Sequence, residues 1–277
     1  MTHADTNPTL VLGATGKTGR RVLDRLHARG VPTRAGTRRS AVPFDWNDPA
    51  TWPAALRDVR AAYVVYAPDL AVPAAAAAIR HFTELAVRSG VRRLVLLSGR
   101  GEEEAQRCER IVQDSAAAWT IVRASWFCQN FSEGAFLDLV LGGEVALPVD
   151  GVAEPFVDAD DLADVVVAAL TEAGHAGRVY EVTGRRAWTF ARAVEEIAAA
   201  SGRNVRFVPI SHEAFRTGLL EAGVPLPEAD LLGYLFGTIL DGRNARAGDG
   251  VRQALGREAR DFGEWAREAA ARGAWAK

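Results

Sequence analysis

A glycine-rich turn near the start of the sequence limits the possible folds more than any other feature. Gly13, Gly16 and Gly19 lie in residues 13–19, the glycine loop, which follows a short apolar run at residues 9–12 and precedes apolar residues at helical spacing. A strand, a glycine turn and a helix in this order are typical of nucleotide-binding sheets, because glycines let a diphosphate approach the backbone and a helix N-terminus attracts anions. The alternative is a glycine-rich turn that binds nothing.

The same alternation of strands and helices continues through the first half of the chain. Apolar runs bounded by turn residues predict strands, and helical periodicity predicts the segments between them. The predicted strands are residues 9–12, 32–37, 42–44, 61–66, 93–98 and 119–123, and the predicted helices after the first are 51–57, 73–89 and 102–118. This alternation predicts an α/β fold, a Rossmann-type, doubly wound parallel sheet.

The regular alternation of predicted strands and helices ends at about residue 125. We predict helices at 130–141, 161–170 and 189–201, strands at 144–148, 179–182 and 205–209, and mostly helix after Ser211. We therefore expect residues 1–277 to form a single unit. Its cofactor-binding core spans about 9–125, and about 126–277 forms a smaller C-terminal α/β lobe over the carboxyl edge of the sheet.

Composition narrows the classes of partner. The formal net charge is −2 with 25% charged residues, so we expect neither a nucleic-acid nor a membrane surface. Residues 1–8 read as a loose polar leader rather than a signal peptide, and Cys108 and Cys128 read as small buried hydrophobes. These features favour a cytoplasmic protein. The histidines are scattered without metal-ligand spacing, so we expect no metal and surface positions for His3, His27, His81, His175 and His212.

The end of the second strand indicates which dinucleotide is bound. NAD-binding sites usually place an acid there to hold the ribose 2′-hydroxyl, but this sequence reads Gly36-Thr37-Arg38-Arg39-Ser40. Arginine pairs with a 2′-phosphate through a planar, charge-assisted fork. We therefore predict NADP(H), with Arg38 as the main anchor and Arg39 or Ser40 assisting. A solvated surface pair of arginines is the alternative.

The sequence resembles the NmrA-like, atypical short-chain dehydrogenase/reductase proteins, and within them the group that contains the festuclavine and agroclavine dehydrogenases of ergot alkaloid pathways. The resemblance covers roughly the first 210 residues. Its more particular motifs are Phe44-Asp45-Trp46 and the Trp-Phe-x-x-Asn-Phe pattern that begins at Trp126, whereas the glycine loop is generic. The remaining matching stretches are residues 94–98, 122–125, 155–163 and 188–190.

The resemblance implies a role for each matching position. Asp45 and Trp46 would border the adenine, and Ser98 would lie near the nicotinamide. Together with the glycine loop, the residues expected to bind the cofactor are Gly13, Thr15, Gly16, Lys17, Thr18, Arg38, Arg39, Asp45, Trp46, Ala67, Pro68, Ser98 and Phe127. The residues expected to bind the substrate are Trp126, Asn130 and Phe131. For Trp46 and Trp126 the alternative is a place in the core. Three acids, Asp158, Asp160 and Asp161, precede an apolar helix and are expected to act as caps and dipole partners.

The catalytic residues stay unassigned. Many short-chain reductases use a Tyr-x-x-x-Lys pair, but the lysines here are Lys17 and Lys277, and no tyrosine has a lysine four residues later. Hydride transfer needs the cofactor and correct geometry, so an electrophilic substrate such as a quinone or an iminium ion needs little acid catalysis. Ser98 is a conceivable hydrogen-bond donor or a residue that positions the cofactor.

Two hypotheses about function follow. The first is an NADPH-dependent oxidoreductase that reduces a small, conjugated, electrophilic molecule, such as a quinone or a secondary-metabolite intermediate. Its substrate would enter between the sheet edge and the C-terminal lobe, with residues 231–236 as a lid. The second is a non-enzymatic NADP(H) sensor, and a cofactor-retaining isomerase or cyclase is a third class.

Overall fold

The computed structural model describes residues 7–134 and 136–276. The predicted polar leader and the predicted surface position of His3 fall wholly or mostly on residues 1–6, which lie outside the described residues, as do Ala135 and Lys277. The strands of the described residues are β1 Thr9–Leu12, β2 Thr33–Gly36, β3 Ala61–Val64, β4 Arg93–Gly99, β5 Ala118–Ala124, β6 Glu144–Leu147, β7 Ala153–Glu154, β8 Arg178–Val182, β9 Trp188–Thr189 and β10 Arg206–Pro209.

The helices vary in length from a single turn to fourteen residues. Those of the described residues are α1 Lys17–Ala28, α2 Trp52–Leu56, α3 Ala75–Arg88, α4 Glu103–Gln113, α5 Asn130–Glu133, α6 Leu137–Gly142, α7 Ala159–Thr171, α8 Phe190–Ser201, α9 His212–Glu221, α10 Leu226–Tyr234, α11 Gly250–Leu255 and α12 Phe262–Ala271. A 3₁₀ turn spans Pro49–Thr51, and a π-helical turn spans Leu235–Ile239.

Most of the predicted strands form one sheet. The order is β2-β1-β3-β4-β5-β8, and the pairings from β2 through β5 are parallel. Because β1 lies between β2 and β3, successive strands are added first on one side of β1 and then on the other. Ligands of such sheets bind at the carboxyl ends of the strands at this switch point. The predicted Rossmann-type parallel α/β fold is confirmed.

The sheet forms around central strands that are apolar runs. Every residue of β1 and of β3 is buried, which is typical of parallel strands covered on both faces. The covering helices are amphipathic or apolar. α1 packs against α7, and α3 packs against α4. Gly30, with φ of 66°, ends α1 in the left-handed conformation that glycine adopts without strain.

The described chain divides into two compact units. The first unit contains the residues up to Ala124 together with Ala159–Glu181 and Gly250–Arg257. The second unit contains Ser125–Asp158, Val182–Asp249 and the residues from Glu258. Each has its own buried hydrophobic cluster. Both units are therefore discontinuous in the sequence, and α7 and α11, although late in the chain, belong to the first.

Most element boundaries agree with the sequence prediction within two residues, but the strand predicted at residues 42–44 is wrong. The residues there adopt bends and irregular backbone. Pro43 lacks the N–H that a ladder requires, and the Phe44 N–H donates to the Thr37 carbonyl at 2.9 Å. The Phe44 ring is buried against Trp52 and Phe82 instead.

Two predicted helices are shorter or broken. The helix predicted at 130–141 is interrupted at Gly134, whose extended backbone separates α5 from α6. The helix predicted at 102–118 ends at Gln113 because the chain turns there to enter β5. The Ser115 hydroxyl donates to the Val112 carbonyl at 2.7 Å within this turn.

Candidate functional site

The glycine loop begins where β1 ends. Gly13 has a φ of 62°, in the region that favours glycine, and its N–H donates to the Gly36 carbonyl at the end of β2 at 3.2 Å. The Gly16 N–H donates to the Gly13 carbonyl at 2.8 Å, and α1 starts at Lys17. These bonds place the first turn of α1 directly after the carboxyl end of β1.

The N-terminus of α1 suits an anion. Its N-cap residue is Gly16, and within the described chain no side chain caps the helix and no acid lies in its first turn. The positive end of the helix dipole is therefore not neutralised by a carboxylate. Burial lowers the pKa of Lys17, and the neighbouring Arg20 and Arg21 lower it further.

The loop fits a diphosphate. A Cβ at Gly19 would overlap the Gly13 carbonyl, so this position requires glycine for α1 to pack against the end of β1. Gly13, Thr15 and Gly16 are exposed, which leaves their backbone open to a ligand. Thr18 differs from the other predicted residues of the loop because its side chain is buried and does not line the exposed surface.

The turn after β2 presents two arginines. Its shape comes from Thr37 and Ser40: their hydroxyls lie 2.7 Å apart, and the Thr37 N–H donates to Ser40 Oγ at 3.0 Å. Ser40 is therefore engaged within the turn. Arg38 and Arg39 are exposed, and neither guanidinium has a hydrogen-bond or ion-pair partner among the described residues. In a chain whose arginines are mostly paired, two unengaged guanidinium groups beside the glycine loop are consistent with binding an anion.

Trp46 links the aromatic core to the segment after β3. Its Nε1 donates to the Val65 carbonyl at 2.9 Å, and a Cβ at Gly13 would lie 3.4 Å from the Val65 Cβ, so Val65 lies beside the glycine loop. The indole is half-buried and contacts the rings of Phe44, Trp52, Tyr66 and Phe82. Trp46 is thus part of the core and also fixes a segment that borders the loop.

The other residues predicted around this edge are placed by the same strands. Asp45 accepts the Asn47 N–H at 3.0 Å through its carboxylate, which shapes the turn before Trp46. Ala67 and Pro68 are exposed, follow β3 and are joined by a cis peptide bond. The structure therefore brings together the glycine loop, the arginine turn and the segment that follows β3, all at the carboxyl ends of neighbouring strands.

Ser98 does not point to an open surface. It is buried, and its hydroxyl donates to Glu109 Oε1 at 2.6 Å. Arg123 donates to both oxygens of Glu109, at 2.8 and 2.5 Å, and to Glu181 at 3.1 Å. Arg100 donates to the same Glu181 at 2.5 Å. This network satisfies Ser98 internally, which argues against Ser98 as a proton donor, and the sequence analysis did not identify its charged members.

Two further acids, Asp69 and Glu102, lie near the carboxyl ends of the strands and have no arginine partner among the described residues. Asp69 follows the cis peptide bond after β3, and Glu102 follows β4 by three residues. The Asp69 carboxyl group lies within hydrogen-bonding reach of the Glu102 carboxyl group. Burial and the neighbouring Asp69 raise the pKa of Glu102 to about 9, and burial also raises the pKa of Asp69. The sequence analysis missed both residues, although acids just beyond the carboxyl ends of parallel strands are a recognisable signal.

The predicted substrate residues and Phe127 lie in the second unit. Trp126 is half-buried and part of a group of rings that we call the aromatic cluster: Trp126, Phe131, Phe136, Phe156, Phe190, Phe236 and Phe262. Phe127 forms an isolated parallel bridge with Val157 and is half-buried. Asn130 starts α5 and is also half-buried.

Phe131 is wrongly assigned as a contact residue. It is 0% exposed and its ring contacts those of Phe136, Phe156, Phe190 and Phe262. A ring enclosed by other rings cannot touch a ligand without repacking. Phe131 therefore supports the aromatic cluster from within, whereas Trp126 has exposed area that a ligand could contact.

The acids before α7 have structural partners. Asp160 and Asp161 lie in the first turn of α7, as expected for dipole partners. Asp161 pairs with Arg257 at 2.7 Å. Asp158 is buried, accepts from Gln129 at 2.6 Å and pairs with Arg260 at 3.0 Å. Ion pairing therefore accounts for these carboxylates, in addition to the predicted helix-dipole role.

Other predictions concern histidine, cysteine, metal and membrane. His175 is buried and its Nδ1 lies 2.9 Å from the Tyr180 hydroxyl, so its predicted surface position is wrong. Burial lowers the pKa of His175. Cys108 and Cys128 are buried thiols, as predicted. Among the described residues, no cluster of His, Cys, Asp and Glu could hold a metal ion. The helices of this part of the chain are all too short or too polar to cross a membrane.

Comparisons with known proteins agree with this geometry. A sequence profile described as NAD(P)H-binding matches residues 13–173. An NAD(P)H azoreductase of Xenophilus azovorans is 34% identical over 257 residues, which are 89% of this chain and 85% of that protein. An agroclavine dehydrogenase of Claviceps fusiformis is 27% identical over 280 residues, 92% of this chain and 95% of that protein.

A solved structure shares the fold. The triphenylmethane reductase of Citrobacter sp., crystallised in complex with NADP(H), superposes with a TM-score of 0.80. The two sequences are 20% identical, and the superposition covers 95% of this chain and 99% of the reductase. At this identity the likeness concerns the fold alone.

Proposed function

The chain belongs to the NAD(P)H-binding family and is an NAD(P)H-dependent oxidoreductase, and from this premise we propose that it reduces a small, conjugated, electrophilic acceptor with NADPH. The observation that carries the proposal is the glycine loop. Its backbone is exposed, α1 begins without an acidic side chain in its first turn, and the adjacent turn presents Arg38 and Arg39 where an NAD site has an acid. Bound NADPH supplies the hydride that the acceptor receives.

Different residues of the chain would bind different parts of the cofactor. The exposed backbone of Gly13, Thr15 and Gly16 would receive the diphosphate, and the positive end of the α1 dipole would stabilise its charge. The guanidinium groups of Arg38 and Arg39 would bind the 2′-phosphate, because arginine forms paired, charge-assisted hydrogen bonds with phosphate oxygens. NADPH is therefore proposed over NADH.

The class of acceptor is inferred from what the site offers and from the relatives. Relatives and structural neighbours are named for azo compounds and triphenylmethanes, and agroclavine dehydrogenase is among the relatives at lower identity. Azo, quinone and iminium groups are conjugated and electrophilic, so they accept hydride without a Tyr/Lys pair. The half-buried indole of Trp126 offers a ring face on which a flat acceptor could pack.

A spectroscopic assay tests the proposal. Pure protein would be incubated with NADPH and, separately, an azo dye, a quinone, a cationic triarylmethane dye and an iminium compound, while the absorbance of the reduced nicotinamide is followed. We expect oxidation of NADPH with at least one acceptor and slower oxidation of NADH at the same concentration. Saturable NADPH binding with no turnover on any acceptor would contradict the reductase and favour a sensor. Product formation without net NADPH consumption would favour an isomerase or cyclase.

A further inference from the structure

Glu102 is a buried acid that the rest of the fold does not neutralise. Its side chain is 7% exposed, and its Oε2 accepts no hydrogen bond from any described residue. Glu102 is the N-cap residue of α4, but its carboxylate forms no cap bond to the described part of that helix. A Cβ at Gly99 would overlap this carboxylate, so glycine at the end of β4 creates the space that the acid occupies.

Glu109, which lies on the same helix, is also a buried acid, but it has hydrogen-bond partners that Glu102 lacks. Glu109 is 1% exposed, yet it accepts three hydrogen bonds, from Ser98 and twice from Arg123. A buried carboxylate that is paired and hydrogen-bonded can stay ionised at little cost, whereas an unpaired one takes up a proton. Glu102 has no ion-pair partner among the described residues, so stability alone does not account for it.

Asp69 connects Glu102 to the surface. The Asp69 carboxyl lies within hydrogen-bonding reach of Glu102, and its Oδ1 accepts the Ala71 N–H at 2.8 Å. Two carboxylates cannot form a hydrogen bond unless one of them carries a proton. Asp69 is partly exposed, so it can exchange this proton with solvent or with a bound molecule. The charged groups that act on Glu102 are Asp69 and Glu109, both acidic, and they favour its protonated form.

The position of the pair relates it to the proposed reaction. Asp69 and Glu102 follow β3 and β4, neighbouring strands whose carboxyl ends lie beside the switch point of the sheet. We propose that Asp69 and Glu102 hold one proton between their carboxyl groups and transfer it to a neutral acceptor during its reduction. This inference rests on the proposed function and assigns the proton donor that the missing Tyr/Lys pair leaves open.

The proton balance of the step is simple. Reduction of a neutral quinone or azo group takes one hydride from NADPH and one proton, which forms an O–H or N–H bond. The carboxylic O–H bond of the pair breaks, its electron pair stays on the carboxyl oxygen, and both acids are then ionised. Their mutual repulsion draws a new proton from solvent through Asp69. A cationic triarylmethane dye takes the hydride alone and needs no proton.

The shared proton is measured first, without cofactor or acceptor. Infrared difference spectra of the protein titrated from acid to alkaline pH would follow the carbonyl stretch of a protonated carboxylic acid. We expect this band at neutral pH in the unchanged protein and in Glu103→Gln, an exposed acid of the same helix, and its loss in Glu102→Gln. Absence of the band from the unchanged protein at neutral pH overturns the inference, whatever the variants do.

The transfer step is then measured with two acceptors. Glu102→Gln and Asp69→Asn should each slow single-turnover reduction of a quinone about 100-fold, within the range of general acid catalysis, and leave that of a cationic triarylmethane dye unchanged. Glu103→Gln should affect neither. Equal rates for the quinone in all proteins, or equal losses for both acceptors, would refute transfer by this pair. Failure of the unchanged protein to reduce any acceptor would refute the proposed function and the transfer, and the infrared band would still decide whether the proton is shared.

Discussion

The glycine loop of the first unit and the aromatic cluster of the second unit are built in opposite ways. At residues 13–19 small residues leave backbone exposed, and charge comes from a helix end and from the nearby arginines. In the aromatic cluster, large side chains enclose one another and Phe131 has no exposed area. We infer that the first unit binds its ligand through backbone and charge, whereas the aromatic cluster of the second unit is apolar and leaves exposed ring area on Trp126.

The largest effect is expected from a single methyl group in the glycine loop. Gly19→Ala should abolish saturable NADPH binding, because its Cβ would overlap the Gly13 carbonyl and displace the first turn of α1. Gly218→Ala is the matched control: apart from its chain neighbours and the backbone of its own helix, no described heavy atom lies within 4 Å of the added Cβ, and alanine there should stabilise α9 by about 0.5–1 kcal/mol. Calorimetric titration with NADPH checks both. If Gly19→Ala binds NADPH with unchanged affinity, binding does not depend on the close approach of α1 to the Gly13 carbonyl.

The second effect concerns stability rather than binding. Phe131→Ala should lower the free energy of unfolding by about 3–5 kcal/mol, because the ring is enclosed by other rings and a cavity would remain. Phe131→Leu, which keeps most of the volume, should cost less. Urea unfolding measures both. If Phe131→Ala has normal stability but a raised KM for the acceptor, Phe131 contacts the substrate and its assignment to the buried core is wrong.

A smaller, selective effect is expected at the arginine turn. Arg38→Ala should raise the Kd for NADPH about 10- to 100-fold, the value of a hydrogen-bonded charge, and leave the Kd for NADH nearly unchanged. Arg57→Ala is the control, since Arg57 is also exposed in the first unit but lies outside this turn. Equal losses for the two dinucleotides would mean that Arg38 does not read the 2′-phosphate.

The most gradual effect is a dependence of stability on pH in the first unit, which is small within any one pH unit. The pKa of Glu102 is raised to about 9, so above the ordinary carboxyl range the folded state keeps a proton that the unfolded state has released. The free energy of unfolding should therefore fall as pH rises towards 9, by up to about 1.4 kcal/mol per pH unit. Urea unfolding between about pH 5 and pH 9 should show a flatter profile for Glu102→Gln than for Glu103→Gln. Parallel profiles would show that Glu102 ionises normally.

The contrast between the glycine loop and the aromatic cluster also explains which features could be predicted from the sequence. The glycine loop and the buried strands are local patterns, so the sheet and the exposed glycine turn after β1 could be predicted from residue types and spacing. The assignment of α7 to the first unit depends on contacts between distant parts of the chain, which no local pattern records. Phe131 was misassigned because the motif that contains it does not show which of its rings face inward.

The charged residues of α4 illustrate a further limit. The helix predicted at 102–118 contains Glu102, Glu103, Glu104 and Glu109, of which Glu102 and Glu109 are buried while Glu103 is exposed. Only the partners distinguish them: Arg123 reaches Glu109 from β5, and Asp69 reaches Glu102 from the segment after β3. Neither contact has a signal in the helix itself.

Calorimetric titration of the unchanged protein with NADPH and with NADH tests the central claim most directly. We expect saturable binding of one NADPH per chain, with a lower Kd than for NADH, because the exposed loop backbone takes the diphosphate and Arg38 and Arg39 take the 2′-phosphate. Absence of saturable heat with both dinucleotides would show that the glycine loop is only a turn and would contradict the account.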